Sequence, residues 1–212
     1  MALTGMGNLE IELKKRHRYP YQWFRKQNDQ WDQYTNFIYS TPQWQTLIEK
    51  IKEVHRQHQL DKNEIFQYAA NRWYNFHSAK AIETIFLEIG DAIPAEDKDS
   101  EKDFYLNGIA FDHKTSVFPR EYPVSFQEAK ENKGHLIEWL YNNQSREKRF
   151  HLKNRLFVVV YDQRGEHWKL KAELALIKNA IHNYLTLFDP HLLHCINFGD
   201  QQALSDIIWV ER

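Results

Sequence analysis

The run Arg155-Leu156-Phe157-Val158-Val159-Val160-Tyr161 constrains the fold of this chain more than any other feature. It is β-branched and aromatic without polar alternation, the mark of a strand covered on both faces rather than half-exposed. Such a strand needs helices on both sides of its sheet, which makes the fold class α/β. The rest of the 212-residue chain has to supply those helices and the neighbouring strands.

Signals for them are plentiful. Thr41-Pro42 reads as a helix start, with Thr as cap and Pro in the first helical position. Trp44, Leu47, Ile48, Ile51 and Val54 follow at helical spacing. Asp61 with Glu64 makes a capping pattern for a helix from Lys62 to Asn71, and a further helix spans Arg72 to Ile89. Extended runs at 103–106 and 109–116 meet at Asn107-Gly108, a dipeptide suited to a type I′ hairpin turn. A helix capped by Ser125 runs to Gln144, the buried strand follows, and another helix spans Lys169 to Leu187. Short strands at 193–198 and 206–210 complete a mixed central sheet. Residues 1–71 read as a helical arm packed on a core formed by 72–212.

Composition excludes several classes. With 42% hydrophobic and 27% charged residues the chain is globular rather than disordered. No apolar run nears the ~20 residues of a membrane span. The first residues lack the basic start and apolar stretch of a signal peptide, so a cytoplasmic location is expected. The single Cys195 excludes an internal disulfide and a multi-cysteine zinc cluster, and reads as a buried small apolar residue. His191 and His194 stand three apart near a helix end, a spacing that reads as chance rather than a zinc site. Net charge is −1, but Lys14, Lys15, Arg16 and Arg18 form one basic block beside Tyr19, Tyr21, Trp23 and Phe24. A second block runs from Arg146 through Lys148 and Arg149 to Arg155. Either could hold nucleic-acid phosphates, or be a solvated face.

The hairpin carries the chemistry. With Asn107-Gly108 at the turn, Leu106 pairs with Ile109 and Asp103 comes opposite Asp112. Alternation then puts Asp112 and Lys114 on one face with Asp103, and turns His113 away. Two carboxylates and an ammonium on one patch suit metal-assisted phosphodiester hydrolysis. Mg²⁺ takes carboxylate oxygens and keeps waters for the substrate, while a lysine can serve the attacking water or the transition state. On the preceding helix, Glu83 falls within the apolar arc of Phe76, Ala79, Ile82, Phe86 and Leu87, whereas Glu88 lies outside it. An inward carboxylate needs a metal or an ion pair, the latter with Lys114 or Arg72. The simpler alternative for the hairpin set is a solvent-facing salt-bridge ladder.

A helix with an inward Glu, an Asp at the start of one strand and Asp-x-Lys on the next resembles the PD-(D/E)xK, or restriction-endonuclease-like, superfamily. The resemblance covers residues 72–165, and implies an αβββαβ core with the helical arm outside it. It also implies that Asp103, Asp112 and Glu83 bind Mg²⁺, with Mn²⁺ as substitute, and that Lys114 is catalytic. Lys102 stands where the motif's name has Pro, and a third strand has to be found around Thr115 to Val124. The activity implied by the resemblance is that of a DNA endonuclease with a restriction or defence role, acting on double-stranded DNA, and a possible homodimer. The rival is a catalytically inactive nucleic-acid-binding or protein-interaction module on the same fold.

Overall fold

The computed structural model describes residues 3–27, 30–89, 92–96, 102–143 and 153–212. They divide into two compact units, Met1–Ala81 with Lys171–Leu174, and Ile82–Leu170 with Ala175–Arg212. No helix among the described residues is long and apolar enough to cross a membrane.

The first unit is helical, containing α1 (Leu3–Lys14), α2 (Gln30–Tyr34), α3 (Trp44–His58) and the start of α4 (Lys62–Ile89). Leu13, Leu47, Ile51, Ile65 and Trp73 are buried, as their helical spacing requires. Asp61 caps α4, its Oδ1 accepting from the backbone N–H of Asn63 and of Glu64, both at 2.9 Å. Two expectations change. Helix α3 starts at Trp44, not at Pro42, because the remote Glu12 carboxylate accepts the Trp44 N–H at 2.7 Å and Thr41 makes no cap. The helices expected on either side of Asn71-Arg72 are one continuous α4. No Gly or Pro interrupts it there, and both side chains are tied to other segments: Asn71 Nδ2 donates to Gln22 O and Arg72 to Asp32 O. The compact units accordingly divide at 81/82, inside α4, rather than at 71/72.

The second unit is α/β, with a six-stranded mixed open sheet flanked by helices. Its strands are β1 (Ile93–Pro94), β2 (Phe104–Leu106), β3 (Ile109–Val117), β4 (Arg155–Tyr161), β5 (His194–Phe198) and β6 (Gln201–Glu211), in the order β1-β2-β3-β4-β6-β5. Strands β1 to β3 are antiparallel, β3, β4 and β6 run parallel, and β5 returns antiparallel to β6. Every residue from Leu156 to Val160 is buried, so β4 is covered on both faces. On one face Phe157 and Val159 pack with Phe126 of α5 (Phe126–Glu131) and Leu136, Ile137 and Leu140 of α6 (Lys133–Asn143).

Ser125 and Glu128 form the expected capping box at α5. The single helix expected over 125–144 is broken at Asn132, which leaves the helical region at φ −128°, ψ 63°. The helix expected from Lys169 is a 3₁₀ segment, His167–Ala172, followed by α7 (Leu174–Thr186). The third strand is not at 115–124: residues to Val117 extend β3, and β1 lies upstream instead. Cys195 is exposed, because alternation along β5 turns Ile196 inward and its neighbours outward.

Asp162, just after β4, is fully enclosed. Its Oδ2 accepts from Arg212 Nη2 at 2.8 Å and its Oδ1 from the Arg164 N–H at 2.7 Å. Burial raises its pKa, but the bonds from Arg212 and Arg164 outweigh that and hold it at about 2. The folded value lies below the ordinary 3.8, so the stabilisation is complete above that value and is lost as pH falls toward 2. Thermal melts between pH 5 and 2 should show that Asp162→Asn is less stable than the parent at pH 5, with the gap closing on acidification.

Candidate active site on the Asn107-Gly108 hairpin

Asn107 and Gly108 both have positive φ, 48° and 77°, as a type I′ turn requires. The turn sets the register Leu106↔Ile109, Tyr105↔Ala110 and Phe104↔Phe111. One step further the ladder is not continued: the Asp103 N–H donates to Phe111 O at 2.8 Å, the carbonyl of the residue already opposite Phe104, so the expected pairing of Asp103 with Asp112 is not formed.

The two carboxylates have different surroundings. Asp103 Oδ2 accepts twice from His113, from the backbone N–H at 2.8 Å and from ring Nδ1 at 2.7 Å. The His113 side chain is only 6% exposed, its ring centroid 6.0 Å from that of Phe86 on α4. It does face away from Asp112 and Lys114, and its bond to Asp103 draws that carboxylate to its own side, so Asp103 does not share a face with Asp112 and Lys114 as alternation predicted. Its other ring nitrogen, Nε2, is buried without a hydrogen-bond partner among the described residues.

Asp112 lies opposite Arg155 in the parallel β3–β4 ladder, and Arg155 Nε donates to Asp112 Oδ2 at 2.9 Å. The guanidinium also sits 5.3 Å from the ring centre of Tyr141 on α6. Lys114, two residues along β3 from Asp112 and on the same face, is half-buried. Burial, and then the Arg155 guanidinium, lower its pKa against the opposing pull of Asp112. Among the described residues the Lys114 ammonium has no hydrogen-bond partner. Two cations thus share one carboxylate, an arrangement with room in its charge balance for an anion.

Glu83 is half-buried on α4, one turn before Phe86, whose ring stacks on Phe104 at 4.7 Å. The structure does not gather it with both aspartates: among the described residues no three His, Cys, Asp or Glu side chains could together hold a metal ion. A closed carboxylate cage is therefore not what these residues offer. Asp103 is held by His113 and Asp112 by Arg155, so the expected set of Asp103, Asp112 and Glu83 is not drawn together as metal ligands. Asp112 Oδ1 is uncommitted among the described residues.

The first basic block is largely spent on structure. Arg16 is fully buried, donating to the carbonyls of Tyr19 and Pro20 and to the side chains of Gln67 and Asn71, so it cannot reach a phosphate as the sequence suggested. Lys14 pairs with Glu10 at 2.6 Å and Glu173 at 2.7 Å, and Lys15 with Glu12 at 2.5 Å. Arg18 is exposed. Lys148 and Arg149 lie outside the described residues. Sequence reasoning missed the pairing of His113 with Asp103 and assigned Arg155 only to a basic block. A cation at the head of the buried strand, beside an Asp-x-Lys strand, was the available signal. Comparison of the chain with protein-family models, curated proteins and solved structures gives no match.

Proposed function

We propose that this chain is a metal-dependent nuclease that hydrolyses phosphodiester bonds in double-stranded DNA, on a restriction-endonuclease-like core. The observation that carries the reading is Lys114: a half-buried amine of lowered pKa, on the same face as Asp112, beside Arg155. The succession α4, β1 to β3, α5 with α6, and β4 follows the αβββαβ order of that superfamily and supports the same reading.

In this scheme Asp112 would hold Mg²⁺ or Mn²⁺ through its uncommitted Oδ1, with Asp103 and Glu83 as the further carboxylates that the resemblance implies. The cation, when bound, would lower the pKa of a water and stabilise charge on the phosphate. Lys114 orients the attacking water or takes its proton, a task its lowered pKa suits. Arg155 fixes Asp112 by one oxygen, and His113 fixes Asp103 by one oxygen. A homodimer that cuts both strands, and a role in restriction or defence, belong to the same proposal.

The second reading is a nucleic-acid-binding module without catalysis. The Asp112–Arg155 ion pair favours it, since that pair satisfies the carboxylate with no metal. Incubation with supercoiled plasmid separates the two. Nicked and linear products with Mg²⁺ or Mn²⁺, abolished by chelator, are expected. Binding of DNA without cleavage under any divalent cation would favour the second reading.

A further inference from the structure

We infer that the helical unit contains a binding site for a purine or pyrimidine base that carries a phosphate. A cavity of about 600 Å³ opens between α3, the start of α4 and the Tyr19-Pro20 segment. That is within the ~300–1,000 Å³ of small-molecule sites. Its walls are apolar and aromatic: Ile48 and Ile51 from α3, Phe66 from α4, and Tyr19, whose ring centre lies 4.9 Å from that of Phe66. A flat ring entering it meets aromatic surface, the contact on which bases stack whatever their sequence.

The polar groups are few and fixed in direction. Gln67 lines the cavity at 3% exposure, and its Oε1 accepts from the buried Arg16 at 2.7 Å. The oxygen being committed, the amide N–H₂ is left as donor, and it has no partner among the described residues. Arg16 also holds the Tyr19 and Pro20 carbonyls at 2.9 and 2.7 Å, so one buried guanidinium sets both the donor and the facing wall. On the opposite side His55 donates from Nδ1 to Leu60 O at 2.7 Å, so that in the neutral ring Nε2 is the accepting nitrogen. A donor and an acceptor between apolar walls match the mixed hydrogen-bonding edge of a nucleobase better than a purely apolar ligand. At the mouth, Lys52 and Lys62 are exposed and can meet a phosphate, while Asp61 is committed to capping α4. The base could come from a free nucleotide or from an unpaired position in a strand.

Calorimetric titration of the full chain tests this with the four deoxynucleoside monophosphates, a short single strand and the same strand as duplex. Divalent cations are left out, so nothing is asked of hydrolysis and failure leaves the nuclease reading standing. Saturable binding of a mononucleotide points to the free ligand, and binding of the single strand alone points to a base within it. In either case Ile48→Trp, which fills the cavity, and Gln67→Glu, which keeps the bond to Arg16 but removes the donors, should weaken binding about tenfold or more, the scale of losing one base contact. Melting curves check that both variants fold. No saturable binding of any probe, or equal binding by the parent and both variants, would overturn the inference.

Discussion

Lys114→Ala should lower metal-dependent DNA cleavage by about 10²–10⁴, the usual loss when a group acting on the proton or on transition-state charge is removed. The fold should survive, and its melting temperature should rise slightly rather than fall. The sign comes from Lys114's lowered pKa. A lysine whose folded value lies below 10.5 is charged at a cost in the folded state, and that cost is present at neutral pH. Removing the amine removes the cost, along with the repulsion from Arg155. Lys114→Met should share the gain and the inactivity, while Lys114→Arg should stay inactive, since a guanidinium neither gives up a proton nor fits the same space. Asp112→Asn should be as inactive, but without the stability gain, because it leaves Arg155 half-paired. Rates on a labelled duplex, read beside thermal melts, check both signs. A Lys114→Ala protein that is less stable and fully active would mark a structural lysine.

Phe157→Ala should cost the sheet-bearing unit about 3–5 kcal/mol, the range for deleting a fully enclosed phenylalanine. Phe157 is wholly buried in the middle of β4, its ring edge-on to Tyr141 at 5.6 Å and surrounded by the helices that cover that face. Neither neighbour is free to collapse into the space. Tyr141 is anchored by its hydroxyl, which donates to Lys153 O at 2.6 Å, and β4 is paired on both edges. A residual cavity therefore adds to the lost transfer energy. Ile11→Ala, at a position 60% exposed, is the matched control and should change stability by less than about 0.5 kcal/mol. Urea denaturation monitored by tryptophan fluorescence gives both values.

These two residues also mark what the sequence made legible. The uninterrupted Leu156–Val160 run specified a strand buried on both faces, and Asn107-Gly108 specified the register from Leu106↔Ile109 to Phe104↔Phe111. Both are local signals with one structural solution. What stayed hidden depends on distant partners. Trp44 rather than Pro42 opens α3 because Glu12, on another helix, takes its N–H. Arg16 looked like part of a cationic face, yet its acceptors on Gln67 and Asn71 lie in the same unit but more than fifty positions away, and they draw it inside. The site divides in the same way. Alternation put Asp112 with Lys114 and turned His113 away, but it could not show His113 bonding back to Asp103 or Arg155 arriving from β4.

Binding of Mn²⁺, followed by electron paramagnetic resonance with duplex DNA present, tests most directly whether Asp103 and Asp112 together carry a catalytic cation. The parent chain should take up Mn²⁺ saturably, and Asp103→Asn and Asp112→Asn should each lose that uptake while still binding the duplex. Undiminished uptake in both variants, or none in the parent, would contradict it.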